Sequence, residues 1–303
     1  LIILLKMMIK NLKIYKKNFL SSLKNLLIFL PLFLSNLDLT RELLSQLFFG
    51  FVFFTIVTQV IYITNNYTDR FIDKKNKLKK FEQVFKFKTV LILNIFIILK
   101  ILLLYFLGFK INFLILYIFL FYLYNFSLKR KKYIDIILLV SFYLTRVAYG
   151  AEISDINLTY EFFAFFASIF CFLAIGKRII QINSNKLDKD NKIISYSSKD
   201  IKKLKVTMNL SFWFSLIIFI TYGMQNYLFL IDQQIRENNY LLTNNLFIFF
   251  IEFFIIFFNF YRLKALFDKN QITEDIFIFV AKDKIIIFSS IISLSLLIFG
   301  SLI

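Results

Sequence analysis

The chain has 303 residues, 59% of them apolar, with 43 Phe, one Pro and a formal net charge of +18. A mean hydropathy of +0.72 is too high for a soluble domain, where apolar residues make up about half. Composition therefore excludes a soluble module. The absence of His excludes imidazole as base or metal ligand, and the single Cys171 excludes a disulfide framework within the chain.

The first stretch, LIILLKMMIKNLKIYKKNF, predicts a basic amphipathic helix over 1–18 lying on the membrane surface. Its basic residues follow the apolar run and no small-residue cleavage site is visible, so it does not read as a secretory signal. Nine apolar segments come next, at about 20–35, 46–64, 89–107, 111–126, 134–150, 160–176, 208–225, 246–261 and 285–302. Several approach the ~17–25 residues a helix needs to cross a bilayer. The expected fold class is all-α: a polytopic membrane protein with nine transmembrane helices, one domain over 19–303. No β-pattern, Gly-rich loop or internal repeat interrupts it.

Charge predicts the orientation. With the N-terminus inside, the connections at 1–18, 65–88, 127–133, 177–207 and 262–284 hold 31 Lys and Arg. The opposite connections hold three: Arg41, Lys110 and Arg236. Such a split is a strong positive-inside signal. It predicts a cytoplasmic N-terminus and cytoplasmic basic loops, and the expected location is the cell inner membrane. The net charge is then mostly topology, and no basic–aromatic pattern points to nucleic acid.

Three places are candidates for chemistry. In NNYTDRFID (65–73), Asn65, Asp69 and Asp73 are spaced by four and share one helix face. Such a face either meets water or holds a cation. A carboxylate pair there can share Mg²⁺ and hold a diphosphate through it, with flanking lysines on the remaining phosphate charge. In AIGKRIIQI, Lys177 and Arg178 close the sixth apolar segment, either as topology anchors or as a phosphate clamp. Arg146 lies about three turns past Asp135, deep in the hydrocarbon. It either faces a polar cavity or snorkels to the outer interface. Lys24, Asp135 and Arg262 lie near inside boundaries as anchors or site residues, and Glu252 is a further intramembrane charge.

These residues carry a resemblance. NNYTDRFID resembles the first Asp-rich motif, N-D-x-x-D-x-x-x-D, of the UbiA prenyltransferase superfamily. SLKNLLIFLPLFLS (22–35), YNFSLKRKKYIDIILLVSFYLTRVAYGA (124–151), FLAIGKRIIQI (172–182), YSSKDIKKL (196–204) and YRLKALFDKNQITEDIFIFVAKDKIII (261–287) resemble one branch of it, the decaprenyl-phosphate phosphoribosyltransferases. The Asp-rich motif is specific only to the superfamily; the G-K-R stretch and the L-K-N-L-L opening select the branch. The resemblance implies a nine-helix bundle with a cytoplasmic-side cavity. It also implies Mg²⁺-dependent transfer of phosphoribose from phosphoribosyl diphosphate (PRPP) to a polyprenyl phosphate, for envelope glycan synthesis. A homo-oligomer is compatible with it.

Carried onto this sequence, Asn65, Asp69 and Asp73 would hold the metal and the diphosphate, with Asn66 beside them. Lys24, Lys79, Lys129, Arg146, Lys177, Arg178 and Arg262 would bind phosphates of donor or acceptor. The chain departs from the pattern at Asn66, where the family has Asp, and at Gln181, where it has Glu. Asn76-Lys77 and Glu82-Gln83 replace His-Pro and Arg-Pro. One alternative is a prenyltransferase of the same fold that joins a prenyl diphosphate to an aromatic acceptor. Its second Asp-rich motif is matched poorly by Asp188 and Asp190 in KLDKDNK. A transporter is the other alternative, opposed by the lack of an inverted repeat and of Gly/Pro-broken helices.

Overall fold

A computed structural model describes residues 22–34, 40–70, 85–185, 196–237, 242–269, 271–272 and 276–302. The basic segment 1–18, the loop with Asp73 and Lys79, and KLDKDNK lie outside the described residues. Among those described, every regular element is helical. Each predicted apolar segment falls on one helix, and five helices are long and apolar enough to cross a membrane by themselves. The protein is thus an all-helical membrane protein. The chain divides into two compact units, residues 1–157 with 188–195 and residues 158–187 with 196–303.

The first unit opens with a departure. The run at 20–35 predicts an α-helix, yet Leu23–Leu34 is a 3₁₀ helix. Three residues per turn align every third side chain, and Ser22, Asn25, Ile28 and Pro31 are all buried. Pro31 has no N–H to give an α ladder. Helix α1 (Arg41–Thr68) follows, capped by the Thr40 hydroxyl, which accepts from the Leu43 N–H at 3.2 Å. Next come α2 (Phe87–Phe106) and α3 (Asn112–Leu123). The latter widens into a π turn, Tyr124–Leu128, closed by the Lys129 N–H on the Tyr124 carbonyl at 2.9 Å. Helix α4 (Ile134–Ser154) completes the unit.

Helix α4 is the centre of this unit. It packs on the 3₁₀ helix, α3 and α1, and 72% of its most apolar window is buried, against 17% for α2. The exposed Leu91, Ile92, Phe96 and Leu99 of α2 suit lipid rather than a missing partner. Leu47, Phe54, Val57, Leu114, Tyr117 and Phe142 form the core between the inner helices. Gly150 permits the closest approach, because a Cβ there would lie 1.9 Å from the Ile28 carbonyl oxygen. The N-terminus of α3 is capped from α4. Glu152 accepts from the Asn112 and Phe113 N–H groups at 3.0 and 3.1 Å, satisfying donors that a helix start leaves open.

The second unit holds α5 (Tyr160–Asn185), α6 (Asp200–Glu237), α7 (Leu242–Asp268), the short α8 (Ile276–Val280) and α9 (Lys284–Leu302). The Asp200 carboxylate ties the entry of α6 by accepting from the Ser197 N–H and hydroxyl at 2.7 and 2.9 Å. Phe172, Phe212, Phe260 and Phe267 form its aromatic core, with ring centroids 5.2–6.3 Å apart in four contacts. Helices α7 and α9 run antiparallel and are stitched by polar pairs. Ser293 donates to Glu252 and Ser289 to Asn259, both at 2.6 Å. Each such bond in a membrane contributes about 0.6 kcal/mol.

Two boundaries differ from the apolar pattern. Helix α5 runs on to Asn185, so Lys177 and Arg178 sit inside the helix instead of closing it. Helix α7 likewise continues to Asp268, which puts Arg262 within it. Both polar extensions lie beyond an apolar stretch. Hydropathy marks where lipid contact ends, whereas the hydrogen-bond ladder continues as long as i→i−4 partners are available.

Candidate functional site

Helix α1 delivers Asn65 to its last turn and ends at Thr68, with Asp69 as the C-cap residue. Asp69 is therefore the first residue past the helix, still one turn from Asn65. Its N–H donates to the Asn65 carbonyl at 2.9 Å. Opposite them, the π turn presents Lys129. Its ammonium pairs with the Asp69 carboxylate and donates to Asn65 Oδ1 at 3.1 Å. The acidic face predicted from the spacing thus holds a cation, and that cation is a side chain 60 residues away. Lys129 is 27% exposed and Asp69 15%, so the pair is half-sheltered from water. Lys129 also lies over the Tyr124 ring, 5.7 Å from its centroid.

A polar shell supports this pair. Thr68 Oγ1 lies 2.9 Å from the Asn65 carbonyl and 3.2 Å from Asn125 Oδ1. Asn94 donates to Thr64 Oγ1 at 2.9 Å and accepts from the Tyr122 hydroxyl at 2.9 Å. Asn94, Tyr122 and Asn125 are not among the predicted site residues. The one signal for them was their polarity in apolar stretches. Asn66, next to Asn65, is half-buried.

The residues present suit a hard cation. Asn65 Oδ1 and the Asp69 carboxylate converge on one position, and oxygen donors of this kind, one or two carboxylates at a time, are what Mg²⁺ takes beside phosphate and water. Among the described residues no group of three or more Cys, Asp or Glu side chains gathers as a metal cage. Asp73, the third residue of the motif, lies outside the described residues.

Deeper in the same unit is a second polar cluster. Arg146 is 2% exposed. Its Nε donates to Asn25 Oδ1 at 3.0 Å, one Nη to the Tyr117 hydroxyl at 2.8 Å, and the other to the Phe142 carbonyl. The guanidinium also lies 4.8 Å from the Tyr117 ring centroid. Asn25 in turn donates to Thr55 and Thr58 at 3.1 and 3.0 Å. Arg146 is thus held in a buried network and does not snorkel to an interface. All the partners it bonds are neutral, and that is affordable only because each N–H so engaged is matched to an oxygen. Lys24 and Asp135 are buried in this unit as well.

In the second unit, Arg178 is buried and donates to Gln181 Oε1 at 2.5 Å, one turn along α5. Gln181 therefore keeps an acceptor for Arg178 without the charge of a Glu. Lys177 is half-buried beside it. Arg262 makes a two-pronged contact with Asp283, Nε to Oδ1 at 3.2 Å and Nη2 to Oδ2 at 2.9 Å. Asp283 also caps α9, accepting from the Ile285 and Ile286 N–H groups at 3.1 Å each.

The Arg262 hydrogen bond, helped by the α9 N–H groups and opposed by burial, holds the Asp283 carboxyl below the usual carboxylate range. A depressed folded-state pKa adds stability above the unfolded value, which is lost as pH falls through the folded one. Asp283→Asn is expected to lower stability by about 1–2 kcal/mol near neutral pH. The gap should close as pH drops below about 4. Thermal unfolding of both proteins across pH 3–8 checks this, and a pH-independent gap would contradict it.

Asn65, Asn66, Asp69, Lys24, Lys129 and Arg146 thus belong to the first unit, and Lys177, Arg178 and Arg262 to the second. No protein-family profile matches the chain. Over 165 residues it is 26% identical to the uncharacterized protein y4nM of Sinorhizobium fredii (strain NBRC 101917 / NGR234), a stretch covering 52% of this chain and 32% of that protein. The match spans about a third of that relative's length.

Proposed function

We propose that the protein is a phosphoribosyltransferase of the membrane interior face, moving 5-phosphoribose from PRPP to a polyprenyl phosphate. The observation that carries this is the meeting of Asn65, Asp69 and Lys129, three residues the family resemblance assigns to metal and phosphates, from two distant segments. In this reading the chain makes nine spans, with the site on the cytoplasmic side of the inner membrane, as the 31 inside Lys and Arg favour. The UbiA-like bundle and Mg²⁺ belong to the same proposal.

The chemistry asks little of the protein as a base. A phosphate oxygen of the acceptor attacks ribose C1, the bond from C1 to the diphosphate oxygen breaks, and diphosphate leaves with the electron pair. The nucleophile is already anionic, so no proton has to be removed, and a chain without His lacks nothing it needs. Mg²⁺, when bound, would neutralise charge on the departing diphosphate. Asn65 and Asp69 would hold that end of the donor. Lys129 would supply positive charge for the phosphates, and the resemblance assigns the same role to Lys79, Lys177 and Arg178. Lys24, Arg146 and Arg262 are further candidates for phosphate contacts under the same resemblance.

A donor screen tests the proposal. Purified protein in detergent with Mg²⁺ is expected to move label from PRPP to polyprenyl phosphate. Label passing instead from a prenyl diphosphate to an aromatic acid would reverse the assignment toward a quinone- or haem-type prenyltransferase.

A further inference from the structure

We propose that Asn65 Oδ1 and the Asp69 carboxylate form a seat for one cation, held by Lys129 until a divalent metal displaces it and frees the ammonium for the phosphates of the donor. The inference rests on the diphosphate-binding reading above and adds how the site is loaded.

Three observations carry it. First, the ammonium touches the same two oxygens that suit a hard metal ion. Two cations cannot share those oxygens at contact distance, because like charges in a half-buried site repel strongly. Binding a metal is therefore an exchange rather than an addition. Second, Lys129 can leave. It is 27% exposed, and its head group sits on a flexible four-carbon stem. Third, it follows a π turn, Tyr124–Leu128, a local widening that recurs at functional sites.

The exchange has a consequence for charge. A divalent ion enters as a monovalent one moves aside, and Lys129 stays tethered within reach. The local positive charge rises just where a diphosphate must be held. Metal and donor then favour each other's binding, and without the donor the metal binds weakly because it must evict a resident ammonium.

The test uses the full chain in detergent with Mn²⁺ alone, free metal being read by electron paramagnetic resonance. Lys129→Met is expected to bind Mn²⁺ about fivefold more tightly than the wild type, the weight of a half-exposed ion pair. Asp69→Asn should lose the site. In the wild type, Mn²⁺ should raise acetylation of Lys129 by a succinimidyl ester, read by peptide mass spectrometry, which needs no variant to fold. Equal Mn²⁺ affinities in the wild type and Lys129→Met, with Lys129 acetylation indifferent to Mn²⁺, would overturn the exchange and leave the metal site standing. No Mn²⁺ binding by either protein would remove the metal site itself, and the reading above with it.

Discussion

Gly150→Ala is expected to destabilise the protein by about 3 kcal/mol or more, at the upper end of what overpacking costs. In an ordinary helix interior the same change would help, since Gly is about 1 kcal/mol worse than Ala there. Here the sign inverts. The new Cβ would lie 1.9 Å from the Ile28 carbonyl oxygen and 2.8 Å from its carbon. Those are backbone atoms, so no rotamer change relieves the clash, and α4 must part from the 3₁₀ helix. The Asn25–Arg146 bond lies one turn away on both elements and would be pulled with them. A loss of this size is a large part of the 5–15 kcal/mol that holds a typical protein folded. Gly50→Ala is the control. A Cβ there meets Ile153 Cδ1 at 2.3 Å, the tip of a flexible side chain that can rotate away. Thermal unfolding in detergent should show a large drop for the first and a small one for the second. Equal midpoints would mean that the helices are not in backbone contact.

Under the proposed phosphoribosyl transfer, Asp69→Asn is expected to lower turnover of PRPP about 10²–10³-fold, the usual cost of removing one electrostatic stabiliser of a transition state. The substitution keeps shape and removes charge. Lys129 loses its ion pair, but the Asn carbonyl oxygen can still accept from the ammonium, which keeps its bond to Asn65, so the fold should survive. Measuring turnover and unfolding midpoint on one preparation separates the two effects. Activity within a few-fold of the wild type would leave the Asn65–Asp69 face as a capped helix end and no more.

Much of the architecture was legible in the residues. A membrane helix must satisfy its backbone within itself, so apolar runs of sufficient length are read directly as helices, and each of the nine runs is one. The four-residue spacing of Asn65 and Asp69 likewise put the two on one side of the chain, because side-chain direction follows from local geometry, but spacing alone left open whether that face meets water or holds a cation. Helix ends were less legible. Lys177 and Arg178 lie well inside α5, since polarity marks the edge of lipid contact and not the end of a hydrogen-bond ladder.

What the sequence by itself determined is the helical, apolar character of the chain and which residue types share a helix face, properties set within a few turns of chain. Only the tertiary structure decided partners. KRKK offers four adjacent cations, and the π turn, joined to α1 through Asn125 and Thr68, presents Lys129 to Asp69. Arg146 meets Asn25 across 121 residues of sequence, beside a close backbone approach that Gly150 leaves room for. Such pairings depend on which backbones can touch, a steric fact between distant segments that no local pattern encodes.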